Sequence, residues 1–184
     1  MFSSYVENPT NCRFEGQDPD EKILLLLRAH PVTNLSWIIP AVVIFFLPFY
    51  LPLLMRLFSV PIPIPSDYNW VLIVINYLLM LVIVFEGFLY WYFNVHILTG
   101  KRLVDMDFHS ALYKNVDFAP LNQIQEVSGS MAGIFGIIFH YGDVLVQTAG
   151  ARVSLDFYKV PNPNRVADII LDQVEKIQEG NNGN

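Results

Sequence analysis

Hydrophobic positions are distributed along this chain in three ways. Pro31 to Met55 and Tyr68 to Phe85 are apolar without a strict period, and neither stretch holds an Asp, Glu, Lys or Arg. After Asn94 the pattern breaks into short runs of period two, as where Val104, Met106 and Phe108 alternate with Asp105 and Asp107. Near the end, Val166, Ile169, Ile170, Val174 and Ile177 recur at spacings of three and four. About 20 continuous apolar residues predict a helix able to cross a bilayer core of roughly 30 Å. Period two predicts half-buried strands, and spacings of three and four predict an amphipathic helix.

The first predicted span runs from about residue 35 to 55, "LSWIIPAVVIFFLPFYLPLLM", and carries Pro40, Pro48 and Pro52. Each proline removes a helix hydrogen bond, which lipid-embedded helices tolerate when a neighbour compensates. The second runs from about 70 to 92, with Trp70 at one end and Tyr90, Trp91 and Tyr92 at the other, as in interfacial aromatic belts. Length and lack of charge weigh against core helices of a soluble protein. A short proline-rich connector separates the two spans, so residues 31–93 are expected to form a helical hairpin. Arg28, Lys101 and Arg102 flank it, whereas Arg56 alone is basic in the connector. Basic residues favour the cytoplasmic side, so both termini are expected in the cytoplasm of a multi-pass protein of the cell membrane. Glu86 is the one carboxylate inside a span, which makes it a functional candidate. Near the interface it could equally pair with Arg28 or His30.

The opening "MFSSYVENPTNCRFEGQDPDEK" is polar and acidic, unlike a signal peptide; residues 1–30 are expected to form a cytoplasmic N-terminal arm, flexible in the segment before Cys12. Cys12 is the lone cysteine and cannot form an internal disulfide. Residues 94–179 predict about seven strands followed by a helix, then a flexible tail over 180–184. Turns fall at Gly100-Lys101 and Ala149-Gly150, and Ile124 and Val127 are expected to be buried. Asn162 suits the final helix's N-cap, Pro163 its first position and Gly180 its stop.

Four segments carry a resemblance: "ILTGKRLVDMD" (Ile97–Asp107), "APLNQIQEVSGS" (Ala119–Ser130), "YGDVLVQTAG" (Tyr141–Gly150) and "VPNPNRVADII" (Val160–Ile170). With "EKILLLLRAHP" before the first span, they resemble the bacterial membrane-bound pleckstrin-homology (PH)-like family, in which a transmembrane hairpin precedes the PH-like domain. The likeness covers roughly Glu21 to Gln178. It implies an α+β membrane protein whose hairpin precedes a PH-like β-barrel or sandwich capped by a C-terminal helix. Where that family usually has Asn at the first turn, Gly100 is expected to supply the same positive φ.

Composition narrows the function further. Only 15% of the 184 residues are charged and the net charge is −6. From Asn94 on, seven Lys and Arg face ten Asp and Glu, which argues against nucleic acid. Lys101, Arg102 and Lys114 remain candidates to hold a lipid headgroup, against an ordinary solvated face. In "MAGIFGIIFHYG", Ile134, Phe135, Ile137 and Ile138 either fill the core or form a contact with membrane or another subunit. His30, His96, His109 and His140 are scattered at positions expected to be superficial, and no metal or nucleophile spacing occurs, so no metal, cofactor or catalytic residue is expected. The expected role is a non-enzymatic interaction module that presents its surface at the cytoplasmic face to a protein partner or to a second copy. A small oligomeric transporter or channel subunit, through Glu86, and an anionic-lipid-binding module are the alternatives.

Overall fold

The computed structural model describes residues 3–9, 12–59, 68–110, 113–149 and 155–182, without the side chains of residues 109, 110, 113, 114, 181 and 182. They divide into two units, one formed by Met1–Thr33 with Tyr90–Asn184 and the other by Asn34–Leu89.

The second unit is two helices, α1 (Leu35–Leu57) and α2 (Asn69–Phe93, whose last turn belongs to the first unit). Both are long and apolar enough to cross a membrane. Ala41 is the only buried residue of α1 and Trp91 that of α2. Phe49, Leu53, Leu78, Leu79, Val82 and Phe85 all stand exposed, unlike the side chains of a soluble protein's core helix. The helices meet at Gly87, where an added Cβ would collide with the Trp37 ring. They are also joined by a hydrogen bond that follows from the proline pattern. Pro48 has no N–H to offer the carbonyl four residues earlier, that of Ile44. Asn76 Nδ2 of α2 donates to that carbonyl at 2.9 Å.

The described residues of the first unit form eight strands in two sheets. Strands β1 (Tyr5–Glu7), β2 (Ile23–Leu27), β3 (Val95–Thr99), β4 (Arg102–Ser110) and β5 (Tyr113–Pro120) form one antiparallel sheet in that order. A 3-10 turn, Leu121–Gln123, leads to the second sheet of β6 (Ile124–Ser130), β7 (Tyr141–Thr148) and β8 (Leu155–Pro161). A short helix α3 (Gly133–Phe139) joins β6 to β7, and α4 (Pro163–Asn182) ends the chain. The architecture is therefore α+β, but the expected barrel is corrected: among the described residues the two sheets do not close on each other. Pro120 and the 3-10 turn end β5 before β6, while the β3 edge is taken by β2 and then β1.

The main core lies among both sheets and α4. Leu25, Leu27, Leu98, Leu103, Val144, Val146 and Phe157 meet Val166, Ile170 and Val174 of α4 there. Ile124 and Val127 are buried in it. A smaller core of Phe14, Ile23, Leu26, Ile97 and Val104 covers the other face of the first sheet. Part of the N-terminal stretch is therefore packed into the sheet: β2 is an inner strand with apolar side chains on both faces. The run "ILLLL" shows no period two because both faces are covered and a bulge at Ile23/Leu25 interrupts the alternation.

Two turn expectations also change. Among the described glycines φ is positive at Gly16 and Gly133, not at Gly100. The β3–β4 turn is held instead by Thr99, whose Oγ1 accepts from the Lys101 and Arg102 N–H groups at 3.2 and 3.0 Å. Gly150 lies outside the described residues. At the end of the chain α4 continues through Gly180 to Asn182; a helical glycine costs about 1 kcal/mol but does not forbid the turn.

Candidate interaction site

The first candidate feature is the place where the apolar helices join the folded unit. β2 and β3 pair antiparallel, with Leu27 opposite His96, so the C-terminal end of β2 lies beside the start of β3. The chain leaves at the end of β2, forms both apolar helices, and returns to β3 with only Asn94 between Phe93 and the strand. The apolar unit is thus an insertion into a β-hairpin. Contacts within the first unit hold the segments on either side of the insertion. Trp91 Nε1 donates to the Ala29 carbonyl at 2.8 Å, and the Arg28 guanidinium lies 4.8 Å from the centre of the Tyr92 ring. His30 stacks on Tyr141 at 5.5 Å and donates its backbone N–H to the Lys159 carbonyl. Burial lowers the imidazole pKa of His30 from its ordinary value.

The second feature is α3. Gly133, with φ of 75°, admits the chain, and His140, left-handed at φ 54°, stops the helix and returns it to β7. Gly136 is its one buried residue, set so close to the Tyr141 carbonyl that a Cβ would lie 3.0 Å from that oxygen. At about 100° per residue Ile134 and Ile138 then lie on the far side of the helix from Gly136, with Phe135 and Ile137 on its flanks. Ile134, Phe135, Ile137 and Ile138 are 74%, 64%, 62% and 59% exposed, and Phe139 and Met131 are exposed beside them. Core filling, one of the two readings of this segment, is excluded. Gly142, next to it, is required sterically, since an added Cβ would strike the Ser130 carbonyl oxygen.

The three candidate headgroup cations do not converge. Arg102 is bound into the protein: its Nε and one Nη donate to Glu21 at 3.0 and 2.8 Å, and the same Nη donates to the Gly16 carbonyl. Its guanidinium also lies over the Phe14 and Phe118 rings. Glu21, with its side chain fully buried, accepts further from Thr99 Oγ1 at 2.7 Å and from the Asp18 backbone N–H. The Arg102 hydrogen bonds, with those of Thr99 and Asp18, outweigh desolvation and hold the carboxyl down at about 2. Lys101 pairs with Asp18 at 3.1 Å on the surface. The side chain of Lys114 is outside the described set. Its backbone pairs with Phe108 while Arg102 pairs with Pro120, which separates the two by six residues of ladder, or about 20 Å. Arg102 is thus a clamp between the N-terminal segment and the β3–β4 turn, a role that residue spacing did not reveal.

Glu86 is exposed on α2. Among the histidines, His96 departs from the superficial placement expected of it. It is buried, with Nδ1 2.6 Å from Asp105 Oδ1, and its ring stacks on Phe157 at 4.6 Å. A buried carboxylate needs such a partner. The pairing was available in the sequence, since a turn at Gly100-Lys101 sets residue 96 opposite 105. The side chain of His109 is outside the described set, and His140 is exposed.

No curated protein and no solved structure matches the chain. A family model described as the bacterial PH domain matches residues 34–174, which takes in both apolar helices, β3 to β8 and most of α4. With two antiparallel sheets closed over by a C-terminal helix, and a family match across most of its length, the chain belongs to the bacterial PH domain family.

Proposed function

We propose that this protein is a membrane-anchored interaction module, with the apolar hairpin in the lipid and the PH unit held at the cytoplasmic surface to engage a protein partner or a second copy. The observation that carries this reading is the insertion of two exposed apolar helices between hydrogen-bonded neighbours β2 and β3, with no linker on the return. A module tied to the bilayer through a hairpin of its own chain meets other membrane proteins at high local concentration. The basic residues Arg28 and Lys101 support a cytoplasmic placement of that unit. Among the described residues β5 is an edge strand of its sheet, and a sheet edge can receive an added strand, a mode of peptide recognition available without catalytic chemistry. Fold alone does not set function, so the test is direct. Full-length protein released from membranes in mild detergent is expected to carry a partner chain or a second copy, seen as an intact mass above the 21.1 kDa of one chain. A bare monomer contradicts the reading.

The exposure of Glu86 favours a second reading, a small oligomeric channel or transporter subunit. A carboxylate on an apolar helix is costly when it faces lipid and is relieved by burial against another chain or a water-filled path. In that case Glu86→Gln abolishes solute flux, whereas a scaffold keeps its partner with either residue.

A further inference from the structure

We propose that α3 is a third point of membrane contact, a blunt apolar wedge whose Ile134 and Ile138 enter the leaflet on the side of the PH unit. The inference rests on the anchored reading above and adds a lipid-inserting element that neither the fold nor the family match supplies.

Three observations select lipid as the occupant. The apolar surface goes almost all the way round: taking 100° per residue, Ile134 and Ile138 stand opposite Gly136, with Phe135, Phe139 and Ile137 filling the flanks. A protein groove receives one face of a helix and leaves the other polar for water. A helix with no polar face suits a medium that surrounds it. Charge agrees, for between Glu126 and Asp143 there is no Asp, Glu, Lys or Arg, so entry into the headgroup region strips water from no ion in this segment. Position agrees as well. Tyr141, two residues after α3, stacks on His30, and His30 comes four residues before Asn34, where the apolar unit begins. Through Tyr141, α3 is thus joined to the segment of its own unit that leads into the apolar helices. Gly136 and Gly142 lock it there by close backbone contact, and the left-handed His140 fixes its exit.

A spin-label accessibility measurement on the full chain decides the matter. In a Cys12→Ser background, single nitroxides are placed through Ile134→Cys, Ile138→Cys, Leu79→Cys in α2 and Glu126→Cys in β6. The protein is reconstituted in phosphatidylcholine–phosphatidylglycerol vesicles. All four sites are exposed, so the labels displace no core side chain. The expected result is that positions 134 and 138 behave like 79, colliding with oxygen several-fold more than with a water-soluble nickel chelate, while 126 shows the reverse. If 134 and 138 follow 126 while 79 stays in lipid, the wedge is refuted and the anchor stands. Labels at 134 and 138 shielded from both reagents mean that a protein surface or a second copy covers α3, which also refutes it. Should 79 itself meet the nickel reagent, the anchor fails along with the wedge.

Discussion

At the scale of single residues, Glu21 and Arg102 tie the N-terminal segment into the sheet, and the tie is sensitive to acid. The Glu21 carboxyl titrates at about 2 in the folded chain against 4.5 when free. The ionised form is therefore the one that folding favours, and its contribution is complete above about pH 5. It drains away as the pH falls from 4.5 toward 2. At about 1.4 kcal/mol per pH unit, the shift amounts to roughly 3 kcal/mol. Thermal unfolding of the PH unit followed against pH should show this loss, and Glu21→Gln should lower stability at neutral pH while flattening the acid limb. An unchanged limb in Glu21→Gln would assign the acid sensitivity elsewhere. Neither residue betrays this in the sequence, because 81 positions separate them and no local period relates them. The His96–Asp105 pair is different, since turn position and strand register together imply it.

Among elements, the hairpin of α1 and α2 is where proline chemistry and packing meet. Pro48 leaves the Ile44 carbonyl without its helix donor, and Asn76 supplies one from the facing helix. Asn76→Leu should weaken helix–helix association by about 1 kcal/mol, the usual size of a hydrogen bond between membrane helices. Restoring the backbone donor with Pro48→Ala should make the same Asn76→Leu change cost less, so a double-mutant cycle in detergent-induced unfolding must show coupling. Independent, additive costs would mean that the bond carries no weight. The prolines were plain in the sequence, but Asn76 was not, since one amide in an apolar run gives no hint of the carbonyl it faces. The β4 alternation and the α4 stripe were legible because one periodicity holds along each. The β2 run was not, because apolar contact on both faces erases period two. α3 was legible as apolar but not as exposed. Only the approach of Gly136 to Tyr141 decides which way its side chains turn.

In the molecule as a whole, an apolar helix pair is inserted into a β-hairpin of a PH-type unit. The succession of strands from β3 on, the final helix and the two apolar helices could be read from pattern and length. The pairing of β2 with β3 could not, being a contact between segments on either side of the insertion. That pairing has a topological consequence on the anchored reading: segments 3–33 and 90–182 must share one side of the membrane, and the end of α1 must reach the other. The most direct test is impermeant thiol labelling of single cysteines, Ser3→Cys, Phe58→Cys and Glu179→Cys in a Cys12→Ser background, in intact and then permeabilised cells. Labelling of position 58 alone in intact cells, with 3 and 179 reacting only after permeabilisation, is the predicted result. Reaction of 58 from the same side as 3 and 179 would contradict it.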